Sequence, residues 1–99
     1  MAIMAFFVGT ISKEQYDTIR REIGWESNPP AGVLSHAASF DDKGQAHVVD
    51  IWESPEQMND FAQKHLMPAF MRHKIQPPSV AVYPLYNMNA YKGLAKYQV

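Results

Sequence analysis

The chain has no cysteine. That excludes a disulfide framework, a thiolate nucleophile and any cysteine-ligated zinc or iron–sulfur site, and it fits a reducing compartment, so a cytoplasmic location is the expectation. An excess of either charge is also missing, since nine Lys and Arg against ten Asp and Glu give a formal charge of −1. With a pI near 6.4, no basic face is spread over the domain, which argues against nucleic acid or an anionic membrane as partner and for a small, roughly neutral ligand. No run approaches the roughly 18 apolar residues of a membrane span. Met1–Val8 is apolar, but no basic segment leads it and Gly9 and Thr10 interrupt it too early for a signal peptide. There is no Gly-rich phosphate loop, P-loop or dinucleotide fingerprint, so no cofactor is expected.

What is present suffices for one core. The 99 residues, 46% of them apolar, make a single domain near the size at which burial only narrowly exceeds chain entropy, and a partner would help it. The near-continuous apolar run Ala2–Val8 reads as a central strand buried on both faces. Ser12 and Gln15 form a capping box, with Tyr16, Ile19 and Ile23 on the buried face of the helix that follows and Gly24 as its stop. The segment from Trp25 to Gly32 contains Pro29-Pro30 and must be loop, with Trp25 as a plug against the core. Two strands follow, Val33–Phe40 and a second ending at Trp52, joined across Asp41-Asp42-Lys43-Gly44. Ser54-Pro55-Glu56-Gln57 starts a second helix with the stripe Met58, Phe61, Ala62, His65 and Ala69, and Pro68 should kink or split it near His65. Ser79–Tyr86 is a fourth strand, and Pro84 argues that it is at an edge or changes partner there.

The order βαββαβ predicts an α+β, ferredoxin-like layer: a four-stranded antiparallel sheet with both helices on one face. Residues 1–88 are expected to form this domain, and 89–99, which carry two of the tyrosines, Leu94 and two lysines, are either a C-terminal arm packed on a partner subunit or a loose tail, the aromatics favouring the arm. The hairpin strands are apolar on both faces, so the sheet face away from the helices needs a cover, and a homodimer with facing sheets supplies it.

At this point the chain resembles the antibiotic biosynthesis monooxygenase-like group of the dimeric α+β barrel proteins. The resemblance covers roughly residues 2–88 and rests on the element order, on Val49-Asp50-Ile51-Trp52-Glu53-Ser54 at the strand-to-helix junction, and on Leu66-Met67-Pro68-Ala69 in the second helix. It implies a fold and a pocket more than a reaction, because the group includes cofactor-independent quinone-forming monooxygenases, haem-degrading enzymes, isomerases and polyketide cyclases. Quinone-forming members pair the junction tryptophan with an asparagine four residues earlier, where this chain has Val48. Haem-degrading members carry an axial histidine late in the second helix and an asparagine on the first strand; here His65 and His73 are off that spacing and the first strand has no asparagine.

The chemistry-bearing candidates lie on the hairpin. Asp41-Asp42-Lys43-Gly44 suits a type I turn closed by a left-handed Gly44, which pairs Asp41 with Gln45 and thereby sets Phe40 opposite Ala46, His36 opposite Asp50 and Leu34 opposite Trp52, on the helix-covered face. A four-residue loop would instead bring His36 to Val49. In the first register His36 is a candidate catalytic acid/base, with Asp50 fixing its tautomer. Trp52 and Phe61 are expected to sandwich a planar substrate, with Met58, His65 and Tyr16 closing the site. The reading is therefore a small cofactor-independent enzyme, of monooxygenase, cyclase or isomerase type, acting on an aromatic or polyketide-like substrate. The alternative is a non-catalytic dimer that binds a small apolar metabolite or haem. His36 and Asp50 could also simply satisfy each other, or Asp50 could pair with Arg20 or Arg21. His36, Asp50 and His65 would make an open three-ligand set, but no spacing requires it and no metal is expected. His47 should face the partner or solvent, and His73 with Arg72 and Lys74 reads as a cationic helix end.

Overall fold

Asp41 and Gly44 fold the centre of the chain back on itself. In the computed structural model, which describes residues 1–98, the Asp41 amide donates to the Gln45 carbonyl at 3.0 Å and the Gly44 amide to the Asp41 carbonyl at 3.2 Å, with Gly44 left-handed at φ 80°. The Asp41 carboxylate also accepts from the amides of Lys43 and Gln45. This is the expected three-residue loop, and it joins β2 (Val33–Phe40) to β3 (Gln45–Trp52) with His36 opposite Asp50 and Phe40 opposite Ala46. The expectation for Leu34 is corrected: a bulge between Val33 and Ser35 takes Leu34 out of the ladder, and Val33 stands opposite Trp52.

β1 (Ile3–Thr10) lies between β3 and β4 (Ser79–Pro84), all pairs antiparallel, in the order β2-β3-β1-β4. β4 is an edge strand, the first of the two arrangements that Pro84 allows, and stops there rather than at Tyr86. β1 is central but is not buried on both faces: Ile3 and Ala5 face the core, while Phe6 on the other face is 38% exposed.

α1 (Lys13–Ile23) begins with the reciprocal Ser12–Gln15 capping box and ends at left-handed Gly24, which donates back to the Arg20 carbonyl. α2 (Pro55–Phe61) starts at the Ser54 cap with Pro55 in its first turn. Residues Ala62–Leu66 then form a π-helical turn, and α3 (Met67–Arg72) resumes after it. Pro68 cannot donate to the Lys64 carbonyl, and the Met67 amide reaches five residues back to Ala62. The helices cover one sheet face over a core of Ile3, Ala5, Trp52, Met58 and Phe61, adjoined by Ile19, Ala69, Phe70 and Ile75. Glu22 ties α1 to α3 through Arg72 and His73, and those two hydrogen bonds hold its carboxyl below the ordinary range.

After β4 the chain carries a 3₁₀ turn, Lys92–Tyr97, and Tyr86, Tyr91, Leu94 and Tyr97 are exposed. Val99, the last residue of the expected arm, lies outside the described residues. No helix among the described residues is long and apolar enough to cross a membrane.

Candidate functional site

The two-residue period of the hairpin sends His36 and Asp50 toward the helices together, and Trp52, two residues beyond Asp50, to the same side. Asp50 is 4% exposed. A carboxylate held that far from water needs its lone pairs satisfied. Oδ1 accepts from His36 Nδ1 at 2.6 Å, and Oδ2 from the Trp52 indole N–H at 3.2 Å. With Nδ1 carrying its proton, His36 Nε2 is an acceptor in the neutral ring, and the Tyr16 hydroxyl of α1 donates to it at 2.7 Å. The result is a continuous chain from Tyr16 through His36 to Asp50 and Trp52. The Tyr16 and His36 rings are within 3° of parallel.

Burial pushes the Tyr16 hydroxyl up to about 12, with the Arg20 guanidinium opposing and the carboxylates of Glu26, Asp50 and Asp17 adding to the rise. Tyr16 is therefore a phenol, a proton donor toward His36, at neutral pH. Arg20 has its carbon Cζ 6.0 Å from the centre of the Tyr16 ring and pairs with Glu26 at 3.0 Å and Asp17 at 3.5 Å. That settles the partner of Asp50, which is His36 and neither arginine of α1.

These groups form one wall of a cavity of about 340 Å³ between the sheet and the helices. That is at the small end of the range for a ligand site, and the rest of its lining is mostly apolar. Of the residues singled out in the sequence, Tyr16, His36, Asp50, Trp52, Met58 and Phe61 all line it. His65 does not: it is exposed, with its ring 5.9 Å from that of Phe61. The correction has a physical cause in the π turn. An extra residue per turn advances the buried stripe from Phe61 to Leu66, which lines the cavity in place of His65. The three-ligand set of His36, Asp50 and His65 consequently does not assemble, and no cluster of three metal-ligating side chains occurs among the described residues. His73, held by Glu22, is also outside the cavity, so neither candidate haem ligand reaches it. His47 is on the bare face as expected, where it pairs with Asp41 at 2.8 Å and holds that carboxyl below its ordinary range together with the Gln45 amide.

Trp25 turns out to be more than a plug. Its ring lies 4.3 Å from that of His36, 5.1 Å from Phe61 and 6.4 Å from Trp52, so it links the imidazole to the aromatic pair of Trp52 and Phe61. Arg20, Asn59 and Gln76 also line the cavity and were not expected there. Arg20 stands four residues after Tyr16, one helical turn along the same face, and that spacing is the signal that would have found it. Asn59 and Gln76 carry no such signal.

No family model and no curated protein matches the sequence. Solved structures do match the fold. A candidate antibiotic biosynthesis monooxygenase from Chloroflexus aurantiacus superposes with a TM-score of 0.66 at 14% identity, over 91% of this chain and 98% of that one. A second candidate antibiotic biosynthesis monooxygenase, from Deinococcus radiodurans, gives 0.61 at 16% identity, over 94% of this chain and 100% of its own. The chain has the fold of the antibiotic biosynthesis monooxygenase-like proteins. SnoaB, a cofactor-independent oxygenase from Streptomyces nogalater, shares it too, with a TM-score of 0.59 and 11% identity over 88% of this chain and 93% of that one. At such identities the likeness fixes the architecture, and the chemistry has to be argued from the side chains.

Proposed function

We propose that the protein is a cofactor-independent enzyme that moves a proton on a small aromatic or polyketide-like substrate, with His36 as the base, Asp50 orienting it and Tyr16 as the group that meets the substrate. The observation that carries this reading is the hydrogen-bonded chain Tyr16–His36–Asp50 set into the wall of an otherwise apolar cavity. Because Tyr16 occupies Nε2, proton removal runs through it. A substrate C–H or O–H beside the phenol oxygen gives its proton to that oxygen as the phenol proton passes to Nε2, leaving an enolate or phenolate facing Tyr16 and an imidazolium beside the Asp50 carboxylate. The Arg20 charge near Tyr16 favours the enolate or phenolate, and the Trp25 ring beside His36 favours the imidazolium. Trp52, Phe61 and Met58 supply the flat apolar walls. Such a step begins a cyclisation, an isomerisation or a direct reaction of the carbanion with oxygen, and the SnoaB likeness is in keeping with the last of these.

Deuterium uptake tests it. With 2-tetralone in D₂O, the wild type should accelerate exchange at the carbon next to the carbonyl, and Tyr16→Phe and His36→Gln should each lower that acceleration by about 10²-fold or more. Exchange at the buffer rate with the ketone demonstrably bound would instead favour a non-catalytic binder, a reading that draws on the fact that both ring nitrogens of His36 already have partners.

The protein also works as a homodimer in this proposal, with the bare sheet faces against each other and the arm after β4 on the neighbouring subunit. Supporting this are the uncovered Phe6 and Tyr83 on the bare face and the exposed tyrosines of the arm.

A further inference from the structure

The ladder registers arrange the sheet side of the cavity in transverse rows, in which His36, Asp50, Val82, Val48, Phe7 and Val80 line the cavity while Ala5 is buried in the core beneath it and Ala38 is exposed outside it. His36 is opposite Asp50, Asp50 opposite Ala5, and Ala5 opposite Val82, so one transverse row runs from β2 to β4 on the helix side. The neighbouring row is Ala38, Val48, Phe7 and Val80. With strands about 4.8 Å apart, three steps separate His36 from Val82 by roughly 14 Å. The two ends of these rows differ in kind. At β2 stand the hydrogen-bonding groups of Tyr16 and His36. At β4 stand Val80 and Val82, which line the cavity and yet are 49% and 42% exposed, so the cavity opens to solvent along that edge. Ile75 and Pro78 flank the same end and are apolar.

An apolar trough with one polar end and one open end selects by shape and by head group. From this we infer that the ligand is an elongated amphiphile: a hydroxyl or carbonyl head seated at Tyr16, and an apolar body running across β3 and β1 to emerge between Val80 and Val82. The inference rests on the cavity being the binding site and deepens that reading by naming the ligand class. The next row along the sheet, Phe40, Ala46 and Gly9, bounds the trough, because Pro78 packs over Gly9 so closely that an added Cβ would lie 3.0 Å from the proline ring.

Calorimetric titration with the series 4-ethylphenol to 4-heptylphenol tests it, the longest member reaching from β2 to β4. Affinity should tighten about fourfold per methylene, the transfer value for a buried CH₂, until the chain end passes Val82. In Val82→Glu and Val80→Glu, whose native side chains are already half in water, that slope should flatten, with circular dichroism confirming the fold. Phenols that bind with no dependence on chain length, or a slope unaltered in both variants, would overturn the trough and leave the binding site standing. Failure of every phenol to bind would overturn both the trough and the cavity as the binding site.

Discussion

Asp50 is the residue on which the site turns. Its carboxylate satisfies both the His36 N–H and the Trp52 indole N–H, so Asp50→Ala leaves two donors without their acceptor at a buried position. The expected loss of unfolding free energy is about 2–4 kcal/mol by urea titration, and a loss below 1 kcal/mol would mean that both donors find other partners. Tyr16 answers to pH. Its raised value, about 12, means the folded state favours the neutral phenol. Stability is therefore unaffected below the ordinary tyrosine range near pH 10 and falls as pH rises from there toward 12. The phenolate absorbance step near pH 12 should vanish in Tyr16→Phe, and the fall in stability over that window should shrink with it. Facing of His36 and Asp50 was legible in the sequence because one left-handed glycine fixes the register of a short hairpin. The bond from Tyr16 to His36 was not, since helix periodicity says which face Tyr16 occupies and nothing about which strand that face will meet.

Elements show where local rules are complete and where they are overridden. Capping at Ser12 and Ser54 depends on residues three apart and could be read directly. The π turn depends on how the chain absorbs Pro68: the sequence marks a break near His65, but whether the backbone kinks, stops or widens is decided by packing against the sheet. His65 left the buried stripe for that reason alone. Gly32 is a second place where backbone and packing meet. It is left-handed at φ 92°, its carbonyl accepts the Glu53 amide at 2.8 Å, and a Cβ there would come within 2.5 Å of the Gln57 side chain. Gly32→Ala should cost about 2 kcal/mol or more in thermal or urea unfolding, combining backbone strain with displacement of Gln57 from its bond with Ser54. A neutral result would show that the loop bearing Trp25 reorganises freely.

At the scale of the molecule, one sheet face is covered by helices and the other leaves Phe6 38% and Tyr83 58% exposed, although Ile51 on that face is buried. Met4, Phe6 and Val8 of β1 share that second face with Val49 and Ile51 of β3 and with Tyr83 of β4, and the Phe6 and Tyr83 rings meet edge to face at 5.9 Å. The sequence disclosed this imbalance, because strands apolar on both sides in a two-layer fold leave one side unaccounted for. A second copy is the occupant that β-sheet geometry accommodates with the same patch on both partners, and each large side chain it covers adds about 1.5–3 kcal/mol of transfer free energy before association entropy is subtracted. Light scattering at micromolar concentration should give twice the chain mass. Phe6→Glu should halve it without altering the far-ultraviolet circular dichroism, since Phe6 is 38% exposed in the protomer and a charge there meets solvent rather than core. A wild type of single-chain mass would remove the dimer from the proposal while leaving the cavity on the opposite face untouched, because every residue of the Tyr16–His36–Asp50 chain comes from one subunit.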